Sequence, residues 1–325
     1  MPYFRHGRTA LNFSKPPFTH EEQIALLEER GMVIDCSDSL FHLNHINYYR
    51  FSGYALHFEV FEDRVRTHRF KKGTKFSDVI NLYEFDNRLR GLMQKYLTPV
   101  EISIRTHICY YLVHKYNTSH PYLDATLFSR RFFHDALIEN IRIEFQRSKE
   151  IFVKAYKEKY SAPPLPPLWM VVEFICFGQC SKLYSGLAQT KDKKEIANAL
   201  DCSFKDLESW LCGLAVLRNL CAHHSRIWNR NFTINFRLPR QFKDVEINRS
   251  RFIVPYLVLR KLLGPLRLME QFEEEFNQLL LDYPSVPITK MGFNDLIAEQ
   301  LGVERRNMTP ANGSNKQSRD TKGVE

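Results

Sequence analysis

Glycine is scarce in this sequence, with 13 in 325 residues. Folds made of many tight turns need glycine at most of them, so a loop-rich or all-β architecture is excluded. No apolar run reaches the ~18 residues that cross a bilayer. Met1 to Phe13 carries Arg5, His6 and Arg8 but no apolar centre, so it does not read as a secretory leader. The expectation is a cytoplasmic protein without membrane association. Neither Cys-x-x-Cys nor His-Glu-x-x-His occurs, so two common zinc signatures are missing and no metal or other cofactor is expected. The cysteines are Cys36, Cys109, Cys176, Cys180, Cys202, Cys212 and Cys221, odd in number and scattered. Several fall in apolar helical patterns, where a free thiol packs as a small hydrophobe. That suits a reducing compartment, not a disulfide framework.

What is present is apolar, aromatic and basic. Hydrophobic residues make up 44% and charged residues 26%, enough to bury one large core or two ordinary ones. There are 25 Phe, 15 Tyr and 3 Trp. The net charge is +9, which favours polyanionic partners, nucleic acid first, although a merely basic globular protein fits the charge equally well.

The pattern predicts an all-α protein with at most a minor strand or hairpin. Residues 1–14 read as a flexible lead-in and 15–160 as an N-terminal helical region. Thr19-His20-Glu21-Glu22 is a capping box, with Gly31 as the stop. A short helix should hold Leu40, Leu43, Ile46 and Asn47, leading into the aromatic run Tyr48 to Tyr54. After the Lys71 to Thr74 turn, Ser77 can cap a long helix that Pro99 should kink or restart, ending near Lys115. A third long helix is expected from Ser129 to about Tyr160. Residues 161–167, Ser-Ala-Pro-Pro-Leu-Pro-Pro, read as a stiff connector, with a ligand for a proline-binding domain as the runner-up role. Residues 168–305 form a C-terminal helical region. Leu168 to Leu187 and Asp192 to Leu200 should be helical. Ser203 should cap a helix to about His223, with core positions Leu207, Trp210, Leu211, Leu214, Leu217 and Cys221. Phe232 to Leu238 is a weak strand, helices resume from Phe252 to Leu281, and 306–325 is a polar tail expected to be disordered.

The chemistry concentrates in Leu217-Arg218-Asn219-Leu220-Cys221-Ala222-His223-His224-Ser225-Arg226. A bare Arg-x4-His pair is expected about once by chance in a chain of this composition. Its place at the end of an amphipathic helix, with Asn219 after the arginine, adds weight. Cleavage of RNA through its own 2′-hydroxyl needs a base, an acid and a cation for the phosphorane. Histidine exchanges protons near neutral pH, and arginine grips phosphate with two parallel donors. Arg218 and His223 are therefore the candidate catalytic pair. Asn219, four residues before His223, can orient the imidazole. His224, or His223 of a second subunit, is the candidate for the missing acid or base. The bland alternative is a histidine pair that complements the helix dipole.

From Arg218 to Arg240 there are five arginines and no acid, interleaved with Trp228, Phe232 and Phe236. Arginine for phosphate and aromatics for stacking is an RNA-like mixture, and Arg226, Arg230 and Trp228 are candidate RNA contacts. A solvated basic rim around buried aromatics fits as well. Arg50 and Tyr49 are further candidates, against core packing of the tyrosine run. His107 and His114 lie seven apart on one expected helix face, but no further ligand joins them at metal-binding spacing.

Several segments together resemble the Abi-like family of abortive-infection proteins, of the AbiD/AbiF type. They are Lys15-Pro16-Pro17, Ile46-Asn47-Tyr48-Tyr49-Arg50-Phe51-Ser52-Gly53-Tyr54, Tyr83 to Arg90, Glu101 to Thr106, Trp169 to Gly178, and Leu217 to Asn229. The resemblance spans about residues 15 to 240. It extends to the HEPN superfamily, whose Arg-x4-His motif forms a metal-independent endoribonuclease and is shared by type VI CRISPR nucleases. The resemblance implies phage defence or toxin activity, a homodimer with a composite site, an RNA substrate, and a small-RNA or protein antitoxin as partner. The alternative is a non-catalytic RNA-binding or protein-interaction component of a defence system.

Overall fold

The computed structural model describes residues 16–234 and 236–303. The expected lead-in, residues 1–14, lies outside these residues, and so does the expected tail, 306–325. Among them the chain is 63% helical, with 13 α-helices and one two-stranded hairpin, as the glycine-poor, periodic sequence predicts. Two compact units divide between Glu84 and Phe85.

The first unit contains α1 (His20–Glu29), α2 (Ser39–His45), α3 (Tyr48–Ala55), β1 (Glu59–Glu62), β2 (Val65–Phe70) and the start of α4 (Phe76–Tyr116). The Thr19 capping box forms in full, with the Thr19 amide donating to Glu22 at 2.7 Å and the Glu22 amide to the Thr19 hydroxyl at 3.2 Å. Gly31 follows with φ of 90°. The hairpin turns on Asp63 and Arg64, both at positive φ, a two-residue loop made without glycine. Glu59 is buried and pairs with Arg66 across the strands. Ser77 lies within the first turn of α4, not ahead of it, and its hydroxyl donates to Asp35 at 2.6 Å.

Helix α4 runs unbroken through Pro99. The ring removes one amide, and the Thr98 hydroxyl bonds back to the Gln94 carbonyl at 2.9 Å. Tyr96, Leu97, Val100 and Ile104 are buried on both sides of the proline, so tertiary packing holds a helix that local preference would break.

The second unit continues with α5 (His134–Arg147), α6 (Ile151–Lys159), α7 (Leu168–Phe174), α8 (Phe177–Gly186), α9 (Thr190–Asn198), α10 (Phe204–Ala222), α11 (Ile253–Leu263), α12 (Met269–Asp282) and α13 (Asp295–Gln300). Two expected long helices are each divided. The stretch from Ser129 breaks at Ser148, where the hydroxyl accepts from the Glu150 amide at 3.3 Å and turns the backbone extended. The stretch from Leu168 breaks at Ile175 and Cys176, where the Gln179 side chain caps the Cys176 amide at 3.3 Å. Residues 161–167 are non-helical and lie inside the second unit. Leu165, Pro166 and Pro167 are buried, and Tyr122 donates its hydroxyl to the Pro166 carbonyl at 2.6 Å.

Helix α11 is buried at every position except Arg260 and Lys261, and α10 packs against α8, α9 and α11. Lys95 to Glu275 and Arg88 to Asp282 join α4 to α12, at 2.6 and 2.7 Å.

Candidate active site at the end of helix α10

Ser203 caps α10 as expected, its hydroxyl accepting from the Asp206 amide at 3.1 Å. The predicted stripe of Leu207, Trp210, Leu211, Leu214, Leu217 and Cys221 is buried throughout. That fixes the rotation of the helix and so aims its last turn. Gly213 permits one close approach: a Cβ there would sit 2.1 Å from the Phe236 ring.

Arg218 stands on the half-buried flank of this turn, with 36% of its side chain exposed. Its Nε lies 3.6 Å from the Glu101 carboxylate of α4, an ion pair without a hydrogen bond at that nitrogen. Glu101 also accepts from Arg105, and Arg105 donates to the carbonyls of Val172 and Ile175 at the end of α7. The Arg218 guanidinium is thus tethered to α4, and through it to α7. Its Nη1 donates to the Asn219 amide oxygen at 3.4 Å. Asn219 therefore faces the arginine and not the ring expected from its i, i+4 spacing. Among the described residues no hydrogen bond joins the Asn219 side chain to the His223 imidazole. The two positions are linked through the backbone, the His223 amide donating to the Asn219 carbonyl at 2.9 Å.

His223 is the C-cap, with φ of −93° and ψ of 15°, and its imidazole is exposed. His224 takes the left-handed conformation, φ 55°. Its amide donates to the Cys221 carbonyl at 3.1 Å and the Ser225 amide to the Leu220 carbonyl at 2.9 Å. These are the two bonds of a Schellman ending, with a histidine where glycine is usual. Burial and the nearby Asp86 carboxylate push the Cys221 thiol up to about 12, so it stays protonated and plays no nucleophilic part.

The chain beyond is pinned from below. Asp86, fully buried on α4, accepts from the amides of Ile227 and Trp228 at 3.1 and 2.6 Å, while its other oxygen pairs with Arg90. Arg251 donates to the Asn229 side chain at 2.8 Å. Trp228 is 0% exposed and Phe236 likewise, with Phe232 at 5%. The expectation that Trp228 stacks on RNA is therefore overturned, and the interleaved aromatics are core. Nor is any described residue of Phe232 to Leu238 in a strand. Its described backbone bonds instead to Ser250 and Ser209, and the Trp210 indole donates to the Arg237 carbonyl at 2.7 Å.

Arg226 and Arg230 are half-buried beside the histidines, Arg230 donating to the Arg226 carbonyl at 3.3 Å. Arg237 pairs with Asp206 at 2.8 Å. In the first unit Tyr49 is exposed on α3, Arg50 is half-buried, and Tyr54 is core. His107 and His114 lie on α4, His114 against the Tyr110 ring at 4.3 Å. A depression of about 890 Å³ lies at the opposite end of α10, by Asp201, Asp206 and Arg240. Its Asp201 is already paired with Lys261 and its Asp206 with Arg237.

Glu101 and Asp86 are the residues that sequence reasoning left out of the site. Glu101 read only as the start of a restarted helix, although Arg105 at i+4 was a signal of a fixed carboxylate. About four turns of α4 earlier, Asp86 with Arg90 repeats that spacing.

The sequence model of a family described as Abi-like protein matches residues 41–229, which take in α4, α7 and the whole of α10. No curated protein and no solved structure matches the chain.

Proposed function

Since the chain belongs to the Abi-like protein family, a name that associates it with abortive infection by phage, we propose that it is a metal-independent endoribonuclease of the HEPN type acting in phage defence or as a toxin. The observation that carries this reading is an exposed His223 imidazole at the C-cap, one turn beyond an arginine held by Glu101.

In this chemistry His223 takes the proton from a 2′-hydroxyl or delivers one to the departing 5′-oxygen. The 2′-oxygen bonds to phosphorus as the P–O5′ bond breaks, leaving a 2′,3′-cyclic phosphate and a 5′-hydroxyl. Arg218 places its free guanidinium edge on the non-bridging oxygens, where negative charge accumulates. One histidine cannot be acid and base in the same step. The second group is His224, or His223 of another copy in a homodimer with a composite site. Arg226 and Arg230 would hold flanking phosphates, and Tyr49 and Arg50 would contact RNA from α3. A small RNA or a protein antitoxin would hold such an enzyme silent.

The test is cleavage of labelled RNA in EDTA. Cyclic phosphate ends are expected, with loss of at least about 100-fold in rate for His223→Ala and for Arg218→Ala at unchanged helicity. Full activity in His223→Ala would end the reading.

A second reading, RNA binding without cleavage, is favoured by the same basic rim of Arg226 and Arg230. It requires affinity that falls linearly in log-log terms with salt, indifferent to His223→Ala, and no cleavage under any condition.

A further inference from the structure

Exposed aromatic side chains on a helical surface are costly unless something covers them. Two of them flank one groove here: Tyr110 of α4, 66% exposed, and Trp169 of α7, 50% exposed. Thr106, Cys109, Val113, His114 and Val172 complete its walls, Glu173 stands at its edge, and its volume is about 310 Å³. That is at the small end of ligand sites, which run to roughly 300–1,000 Å³. Glu173 is exposed, and among the described residues its carboxylate has no hydrogen bond and no ion pair. Burial, and then the charge of Glu173, push the Cys109 thiol up to about 11, so it is uncharged at neutral pH.

The groove is linked to the site at α10 by a chain of side-chain contacts. Arg105 lies one residue from Thr106, which lines the groove, and donates to the carbonyl of Val172, another lining residue. The same arginine holds Glu101, and Glu101 holds Arg218. On the RNA-cleaving reading, this chain of contacts makes the groove a candidate place for a base of the strand whose phosphate Arg218 holds.

We propose that the groove takes one unpaired guanine of the RNA substrate, stacked on Trp169 or Tyr110 and read by Glu173. The inference rests on the RNA-cleaving reading of the Arg218–His223 site. Unpaired bases are recognised by stacking on aromatics and by bonds to their Watson–Crick edge. A free carboxylate selects among edges. Guanine offers two parallel donors, N1–H and N2–H, which two carboxylate oxygens accept together. Adenine and cytosine offer one donor beside a ring nitrogen whose lone pair the carboxylate repels, and uracil one donor between two carbonyls. Guanine is the base that satisfies both oxygens.

The three tryptophans make the test direct. Trp210 and Trp228 are 1% and 0% exposed, so a collisional quencher reaches Trp169 alone. Full-length protein carrying His223→Ala, which binds without turnover, is titrated with the ribotetranucleotides UUGU, UUAU and UUUU. Trp169 should become shielded from acrylamide, and UUGU should bind at least about 10-fold tighter than UUUU, within the ~1–3 kcal/mol of a stacked base. Glu173→Gln should erase the guanine preference and leave UUUU affinity in place. Equal affinity for the three oligonucleotides, or Trp169 still open to quencher at saturation, overturns the proposal. So does a Trp169→Ala protein that changes from dimer to monomer in sedimentation with base preference intact, since the face is then covered by a second copy. Guanine-selective binding with no cleavage by wild type would sink the nuclease reading and leave this pocket standing. Cleavage with no base preference at the neighbouring nucleotide would do the reverse.

Discussion

Arg218 is half-exposed and touches a carboxylate, an arrangement that constrains a long side chain without sealing it. On the proposed nuclease reading, Glu101 would act through Arg218 as a positioning residue. Glu101→Gln keeps the shape and removes the charge. It should lower kcat about 10-fold with KM for RNA little changed, and Glu101→Asp should restore part of the loss. A merely structural role would show instead as a lower unfolding midpoint with kcat intact. His224 supplies a second residue-scale test. A non-glycine residue in the left-handed region costs about 1–2 kcal/mol, and such strain persists where something else requires the side chain. His224→Gly should raise the unfolding free energy in urea by about 1 kcal/mol. If cleavage falls at the same time, His224 takes part in the chemistry. If cleavage is unchanged, the second proton carrier is not His224.

At the scale of elements, what fixes the histidines is the clamp between α4 and the segment after α10. Asp86 accepts two amides and pairs with Arg90 while fully buried. Removing one partner of a buried pair leaves an uncompensated charge, so Asp86→Ala should cost about 3–5 kcal/mol by chemical denaturation. An effect below about 1 kcal/mol would mean that water replaces the carboxylate. The sequence made some elements plain and hid others for one physical reason. The Thr19 box, the Ser203 cap and the stripe on α10 are local, written within a few residues of where they act. The breaks at Ser148 and Cys176 are set by side-chain caps too weak to outvote an apolar pattern on paper. The burial of Trp228 depends on Asp86, which is 142 positions away. The β1–β2 turn carries Asp63 and Arg64 at positive φ, where the usual signal is glycine or asparagine. The candidate pair, Arg218 and His223, stood out in the sequence. Its tether, Glu101, did not, because it sits across a tertiary contact.

On the scale of the whole chain, a net charge of +9 coexists with many local ion pairs, and those joining α4 to α12 are sensitive to acid. The hydrogen bond from Lys95 holds the Glu275 carboxyl below its usual range, and bonds from Gln278 and Arg88 do the same for Asp282. Carboxyls lowered by folding contribute stability that is complete above their unfolded values and fades as pH falls through the folded ones. Lys95→Met should therefore cost about 0.2–1 kcal/mol at neutral pH, and the gap to wild type should close on acidification. A gap that stays constant down to acid pH would show that the methylene packing of Lys95 matters and its charge does not.

Phe236 lies on the backbone of Gly213, in contact so close that no methyl group fits between them. Truncating that ring would leave a vacancy the size and shape of benzene under the helix that carries Arg218. Engineered apolar cavities of this kind stay dry and admit small aromatic solutes. A Phe236→Ala protein would then carry its helix end on a dial, slackened when the hole is empty and tightened by dissolved benzene or indole.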